Sequence, residues 1–142
     1  MKKLGLCLVL FTATTISIGC ASLNSIQRTE YQSMKSSGLA VEEKQPALGA
    51  VLGILPGGGS FYTRQWGLGV ADLLLWPTSI LWDPVAGYQG SEVINYDVSR
   101  AHAKQIKQRE MREIEQQLES NSITQVEFNN KRRAIDDRFD FD

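Results

Sequence analysis

Ala47-Leu48-Gly49-Ala50-Val51-Leu52-Gly53-Ile54-Leu55, closed by Pro56-Gly57-Gly58-Gly59, is the stretch on which the fold turns. It is apolar on every side and holds two glycines, which suits a close-packed helix better than a strand. The proline and the glycines that follow end it. Ser60-Phe61-Tyr62 comes next, then Arg64 and Trp66, and a second apolar stretch runs over 67–82. Together they read as a helical hairpin with a glycine-rich turn. The surrounding segment, 46–90, carries only Arg64, Asp72 and Asp83 as charges and holds all three tryptophans, so it is the apolar centre of the chain.

A membrane crossing needs about 20 apolar residues at 1.5 Å each to traverse roughly 30 Å of hydrocarbon. The first half offers nine residues before Pro56, or roughly 14 Å of helix. The second offers sixteen, interrupted by Asp72 near its start and Pro77 past its middle. A lone aspartate in hydrocarbon costs on the order of 3 kcal/mol, so Asp72 should face a partner or water. Arg64, eight residues earlier, can form an intramembrane charge pair with it. Three placements stay open: a re-entrant or interfacial hairpin, a spanning hairpin, and the core of a small soluble helical domain. If the hairpin spans, Arg64 puts the turn in the cytoplasm and both ends outside. Trp66, Trp76, Trp82, Phe61, Tyr62 and Tyr88 stand near helix ends or kinks, where amphipathic rings sit at headgroup level.

Working toward the N-terminus, 20–45 is rich in Ser, Gln, Glu and Lys with scattered Leu23, Ile26, Tyr31, Met34 and Leu39. It is expected to be a polar tether with a reach of roughly 25 to 30 Å. A short helix around 25–35 is the alternative. Before it, Met1-Lys2-Lys3, an uncharged run over 4–18 and Gly19-Cys20-Ala21-Ser22 form a positive start, an apolar stretch and a small residue before a cut. This resembles the signal peptide of bacterial lipoproteins, with Ser17 standing where a Leu-like residue is preferred. The resemblance implies cleavage after residue 19, a diacylglyceryl group on the Cys20 thiol, and a fatty acyl group such as palmitate on its new amino terminus. A plain secretory signal or an uncleaved anchor is the alternative. Ala21-Ser22 lacks the Asp that marks inner-membrane retention in enteric bacteria, so the resemblance favours the outer membrane, facing the periplasm, with the inner membrane possible.

The apolar centre has a resemblance of its own. The glycine-rich turn, Phe61-Tyr62, Trp66-Gly67-Leu68-Gly69, Leu73-Leu74-Leu75-Trp76 and Trp82-Asp83 resemble the TM-two family of paired membrane helices. That family joins two spans through a Gly-Phe-Tyr type of turn and implies no enzyme activity. Here the first helix is short, the turn's basic pair is reduced to Arg64, and Pro77 interrupts the second helix.

From 91 onward the chemistry reverses, with 9 basic and 11 acidic residues among 52. Residues 92–120 contain no Gly or Pro and are dense in good helix formers. Ile94, Val98, Ala101, Met111, Ile114 and Leu118 make a narrow apolar stripe that suits one partner helix. Arg109 and Glu113 are spaced to pair on the wet face. Residues 111–138 resemble the SHOCT (short C-terminal) module: a polar helix with spaced Leu or Ile, a turn, Ile123-Thr124, then Glu127-Phe128 and Lys131. Asn121 replaces the usual turn glycine and also tolerates a left-handed backbone. Thr124 is placed to cap the second helix, and Glu127 completes a capping box. The resemblance implies a small interaction or oligomerisation appendage, so a protein partner or self-association through the C-terminal helices is expected.

Charge and motifs exclude several function classes. Without 1–19 the chain has 13 basic and 16 acidic side chains, giving no basic excess for nucleic acid. Cys7 lies in the signal and Cys20 carries the lipid, leaving no cysteine for a disulfide. No HExxH or CxxC spacing marks a metal site. Pro56-Gly57-Gly58-Gly59-Ser60 lacks the Lys-Ser/Thr end of a phosphate loop. His102 sits amid Lys104 and Lys107 on a wet helix, and Asp136, Asp137, Asp140 and Asp142 are too irregular for a calcium loop. No catalytic residue, metal or cofactor is therefore expected beyond the covalent lipid on Cys20. The expected fold is all-α: a signal peptide over 1–19, a tether over 20–45, a hydrophobic helical hairpin over 46–90, and a polar helical arm over 91–142 ending in a short hairpin. The expected role is that of a non-enzymatic, membrane-associated interaction or scaffold factor of the bacterial envelope. A small membrane-embedded transport or particle-exclusion factor is the alternative.

Overall fold

A computed structural model describes residues 22–141, and they are all-helical, with no strand among them. Cys20 and the signal segment lie outside the described residues. In chain order the helices are α1 (Ser25–Ser36), α2 (Pro46–Leu52), α3 (Gly58–Tyr62), α4 (Trp66–Leu74), a 3-10 turn (Thr78–Leu81), α5 (Asp83–Glu119) and α6 (Gln125–Arg138). The chain divides into two compact units. Among the described residues, one comprises 22–23 with 44–93 and the other comprises 24–43 with 94–141, so α5 contributes to both.

The apolar unit is not a two-helix hairpin. Pro46 opens α2, where its missing N–H costs nothing, but α2 ends at Leu52, and the glycine-rich turn itself winds into the five-residue α3. The second apolar stretch is also divided. Its helix stops at Leu74, ahead of Pro77, which removes an N–H and clashes with the preceding turn. A 3-10 turn follows, and α5 begins at Asp83, eight residues before the composition changes. The division expected at 90 falls inside α5, three residues before the point where the two compact units part. Gly87 and Gly90 do not interrupt α5 because both are packed: Gly49 and Gly87 face each other so closely that a Cβ on Gly49 would lie 2.3 Å from the Gly87 carbonyl oxygen, and one on Gly87 2.2 Å from that of Gly49. Only hydrogen fits between these backbones. The same close approach through small residues is how helices pack inside membranes.

In the second unit, the short helix given as the alternative to a tether is present as α1, which covers 25–36 of the segment 20–45. Asn24 and Gln27 form a reciprocal capping box at 2.8 and 3.0 Å, which satisfies two of the orphan amides at the helix start. Tyr31, Met34 and Leu39 are buried rather than solvated. The Tyr31 ring meets Tyr96 edge-on, with centroids 6.4 Å apart, and the Tyr96 hydroxyl donates to Glu30. The Val41 amide donates to Ser99 Oγ at 2.8 Å. Tyr96, Ala103, Ile114, Ile135 and Phe139 are the other buried apolar residues of this unit.

The end of α5 follows the local signals in the sequence. Asn121 takes φ 55, and the amides of Ser122 and Asn121 return to the carbonyls of Gln117 and Leu118, the paired closure that a left-handed residue permits. Thr124 then caps α6 while Glu127 accepts from the Thr124 amide. Lys131 to Gln117, Lys107 to Asp136 and Arg138 to Glu110 tie α6 back along α5 in the opposite sense. Arg109 and Glu113 pair at 3.9 Å on the exposed side.

Candidate functional site

The segment 44–93 has its polarity reversed. Every buried residue of 44–93 is Gly, Ser, Thr or Asp, and no large apolar side chain between these bounds is buried; Leu23, which belongs to the same unit, is buried. The buried apolar side chains of the described residues lie outside this segment. Conversely, Leu74 is 78 % exposed, Leu81 79 % and Trp66 68 %, and further large apolar residues stand out from α2, α4, the 3-10 turn and the start of α5.

At the centre lies a hydrogen-bonded cluster that sequence spacing does not reveal. Ser60 Oγ is 2.8 Å from Asp72 Oδ2 and 2.7 Å from Asp83 Oδ1. Asp83 also accepts from the amides of Ser60 at 2.9 Å and Gly59 at 3.2 Å, so it caps α3 from the start of α5. Asp72 Oδ1 accepts from the Trp82 indole N–H at 2.7 Å. Both aspartates are fully enclosed, at 1 % and 0 % exposure. No buried side-chain polar atom among the described residues lacks a partner, which is what a polar interior requires.

The cluster also brings two acidic groups onto one donor. A serine hydroxyl has one hydrogen to donate, and Ser60 Oγ lies within hydrogen-bond distance of a carboxyl oxygen of each aspartate, so the two carboxyl groups divide a single hydroxyl hydrogen between them. Burial pushes the Asp83 carboxyl above its ordinary value, and the charge of Asp72 adds to the rise. The Ser60 hydroxyl and the amides of Ser60 and Gly59 pull the other way.

Of the residues singled out in the sequence, Asp72 is at the centre of this cluster, with Ser60 and Trp82 on its two oxygens. Arg64, the partner offered for it by spacing, is exposed in the turn between α3 and α4 at φ 64. His102 is exposed on α5, its ring 3.4 Å from the Leu39 carbonyl. Asp136 pairs with Lys107 at 2.8 Å, and that ammonium holds its carboxyl below the usual range. No group of three or more metal-binding side chains occurs among the described residues. Ser60 and Asp83 escaped the sequence reading as a pair. The signal available was that 46–90 holds only two acidic residues, both of which an apolar segment must hide.

No described helix is long and apolar enough to cross a membrane. Compared with known proteins, the chain matches no family model, no curated protein and no solved structure.

Proposed function

We propose that this chain is a lipid-anchored protein of the bacterial envelope that acts without catalysis, as a membrane-associated interaction or scaffold factor. Cys20 carries the lipid, 44–93 adds a second membrane contact, and the helices of 94–141 engage a protein partner or a second copy on the periplasmic side. The observation that carries this reading is the reversed polarity of 44–93, with Asp72, Asp83 and Ser60 enclosed and Leu74, Leu81 and Trp66 outside. One acyl chain anchors only marginally, whereas several chains with an apolar module hold durably. The outer membrane is favoured over the inner, on the residues after Cys20 and on the short helices of the apolar unit. The test is labelled palmitate incorporation with gradient fractionation of wild type and Cys20→Ala. Label on the wild type alone, in outer-membrane fractions, supports the reading. An unlabelled wild type in the soluble fraction refutes it.

The second reading is a membrane-embedded transport or exclusion factor. It draws on the enclosed Asp72–Ser60–Asp83 cluster, since ionisable groups inside apolar modules are commonly functional. Proton flux across proteoliposomes that Asp72→Asn abolishes would favour it, and absence of flux in the wild type would remove it.

A further inference from the structure

A water-stable fold hides its large apolar side chains, and the burial of Gly, Ser, Thr and Asp in 44–93 gains little of that stabilisation. What remains outside is large. Fifteen large apolar residues between Leu48 and Tyr88 are exposed, each by about a third to four fifths, whereas a soluble monomer ordinarily scatters such residues singly over its surface. These residues project from α2, α4, the 3-10 turn and α5 alike. A docked protein or a second copy covers one face, whereas a solvent covers all of them. The interior meets the demands of hydrocarbon as well. Three turn amides close internally, from Leu55 to the Leu52 carbonyl, Gly58 to Leu55 and Gln65 to Ser60 at 2.9 Å each, which removes part of the demand for water that irregular backbone brings into hydrocarbon. Length sets the depth. The longest helix wholly within the unit, α4, has nine residues, about 14 Å, or roughly half the hydrocarbon thickness.

From this we infer that residues 44–93 are a pre-folded wedge that seats in the acyl region of a single leaflet, with Leu55, Val70, Leu74, Leu75, Leu81 and Val85 against lipid chains and Arg64 at the headgroups. The inference rests on the reading of the chain as a membrane-associated envelope protein and names what its apolar unit touches.

The experiment uses the lipidated protein in vesicles of phosphatidylethanolamine and phosphatidylglycerol. Tryptophan emission is quenched by lipids brominated along the acyl chain and, separately, by aqueous acrylamide. All three tryptophans lie in the wedge, so emission reports on it alone. The expected result is strong bromolipid quenching with acrylamide access reduced several-fold relative to the unfolded chain. Leu74→Glu with Leu81→Glu should at least halve the bromolipid quenching while the helical circular dichroism is kept. Single cysteines at Arg64→Cys and Ser122→Cys should both react with an impermeant maleimide from the same side. Wild-type emission open to acrylamide and untouched by bromolipid overturns the wedge, as does concentration-dependent burial of the tryptophans by a second copy without lipid. Labelling from opposite sides overturns the single-leaflet seat. Palmitate label on Cys20 read in the same preparation separates the two failures: a labelled protein with unquenched tryptophans loses the wedge and keeps the anchor, and an unlabelled one loses the anchor.

Discussion

Replacing either enclosed aspartate by asparagine has opposite consequences. In Asp72→Asn the new NH2 takes the place of Oδ2, 2.8 Å from Ser60 Oγ. It donates to that oxygen, Ser60 donates to Asp83, and the remaining carbonyl oxygen keeps the Trp82 N–H. The substitution thus gives each of these groups a complementary partner. In Asp83→Asn no orientation works. One side of the carboxyl meets the Gly59 amide at 3.2 Å, and the other meets the Ser60 amide at 2.9 Å and its hydroxyl at 2.7 Å. An NH2 group turned either way opposes a donor, and each buried donor left unsatisfied costs about 1–3 kcal/mol. Asp83→Asn should therefore lose about 2–4 kcal/mol, a large part of a typical total of about 5–15. The pH dependence follows from the raised Asp83 pKa. Its contribution is fully present below the ordinary aspartate value of 3.8 and is lost as pH rises through the higher folded value. Removing the Asp72 charge lowers that folded value, so Asp72→Asn should be the more stable protein at pH 7 and should decline less from acid to neutral pH. Urea unfolding of the mature protein in mild detergent, followed by tryptophan emission at several pH values, measures both effects. Equal losses in the two variants, or a neutral Asp83→Asn, would refute the distinct hydrogen-bonding roles of the two aspartates.

Gly87→Ala should destabilise the apolar unit even though alanine favours helices, because its methyl would sit 2.2 Å from the Gly49 carbonyl; Gly67→Ala meets nothing within 4 Å and should stabilise by up to about 1 kcal/mol, so thermal melts of the two should move in opposite directions. Thr124→Ala removes the α6 cap and should cost about 1 kcal/mol, read as reduced amide-exchange protection over 125–138. Lys107→Ala should let the Asp136 carboxyl titrate at higher pH, because the ammonium is what holds it down; a carbon-detected NMR titration that shows no upward movement would refute that cause.

Local signals carried far in this chain where their causes were local. Asn121 at φ 55, the Thr124–Glu127 box and the Arg109–Glu113 pair all depend on residues within four positions of one another, and the sequence announces each. The all-helical class was legible for the same reason. Between a tether and a short helix over 20–45 the sequence does not choose, because Tyr31 and Met34 look sparse there and Tyr31 meets its aromatic partner only at Tyr96. The hairpin was misjudged for a related cause. Composition marks 46–90 as one apolar block, but where its helices stop depends on Gly49 meeting Gly87 and on Asp83 reaching Ser60, contacts across 38 and 23 positions. Asp72 was correctly marked as needing a partner, and its charge directed attention to Arg64, while a serine and an indole supply the hydrogen bonds found on its oxygens.

The cap that Asp83 places on α3 also sets a schedule for biogenesis. A five-residue helix has no independent existence, since forming its first turn is unfavourable without outside support. Its support arrives from a residue that emerges 23 positions after Ser60. While the chain is being made, 58–62 therefore has no cap until Asp83 has been added, and α3 has no stable half-built form. The segment gains this helix late, once residues 23 positions apart have met.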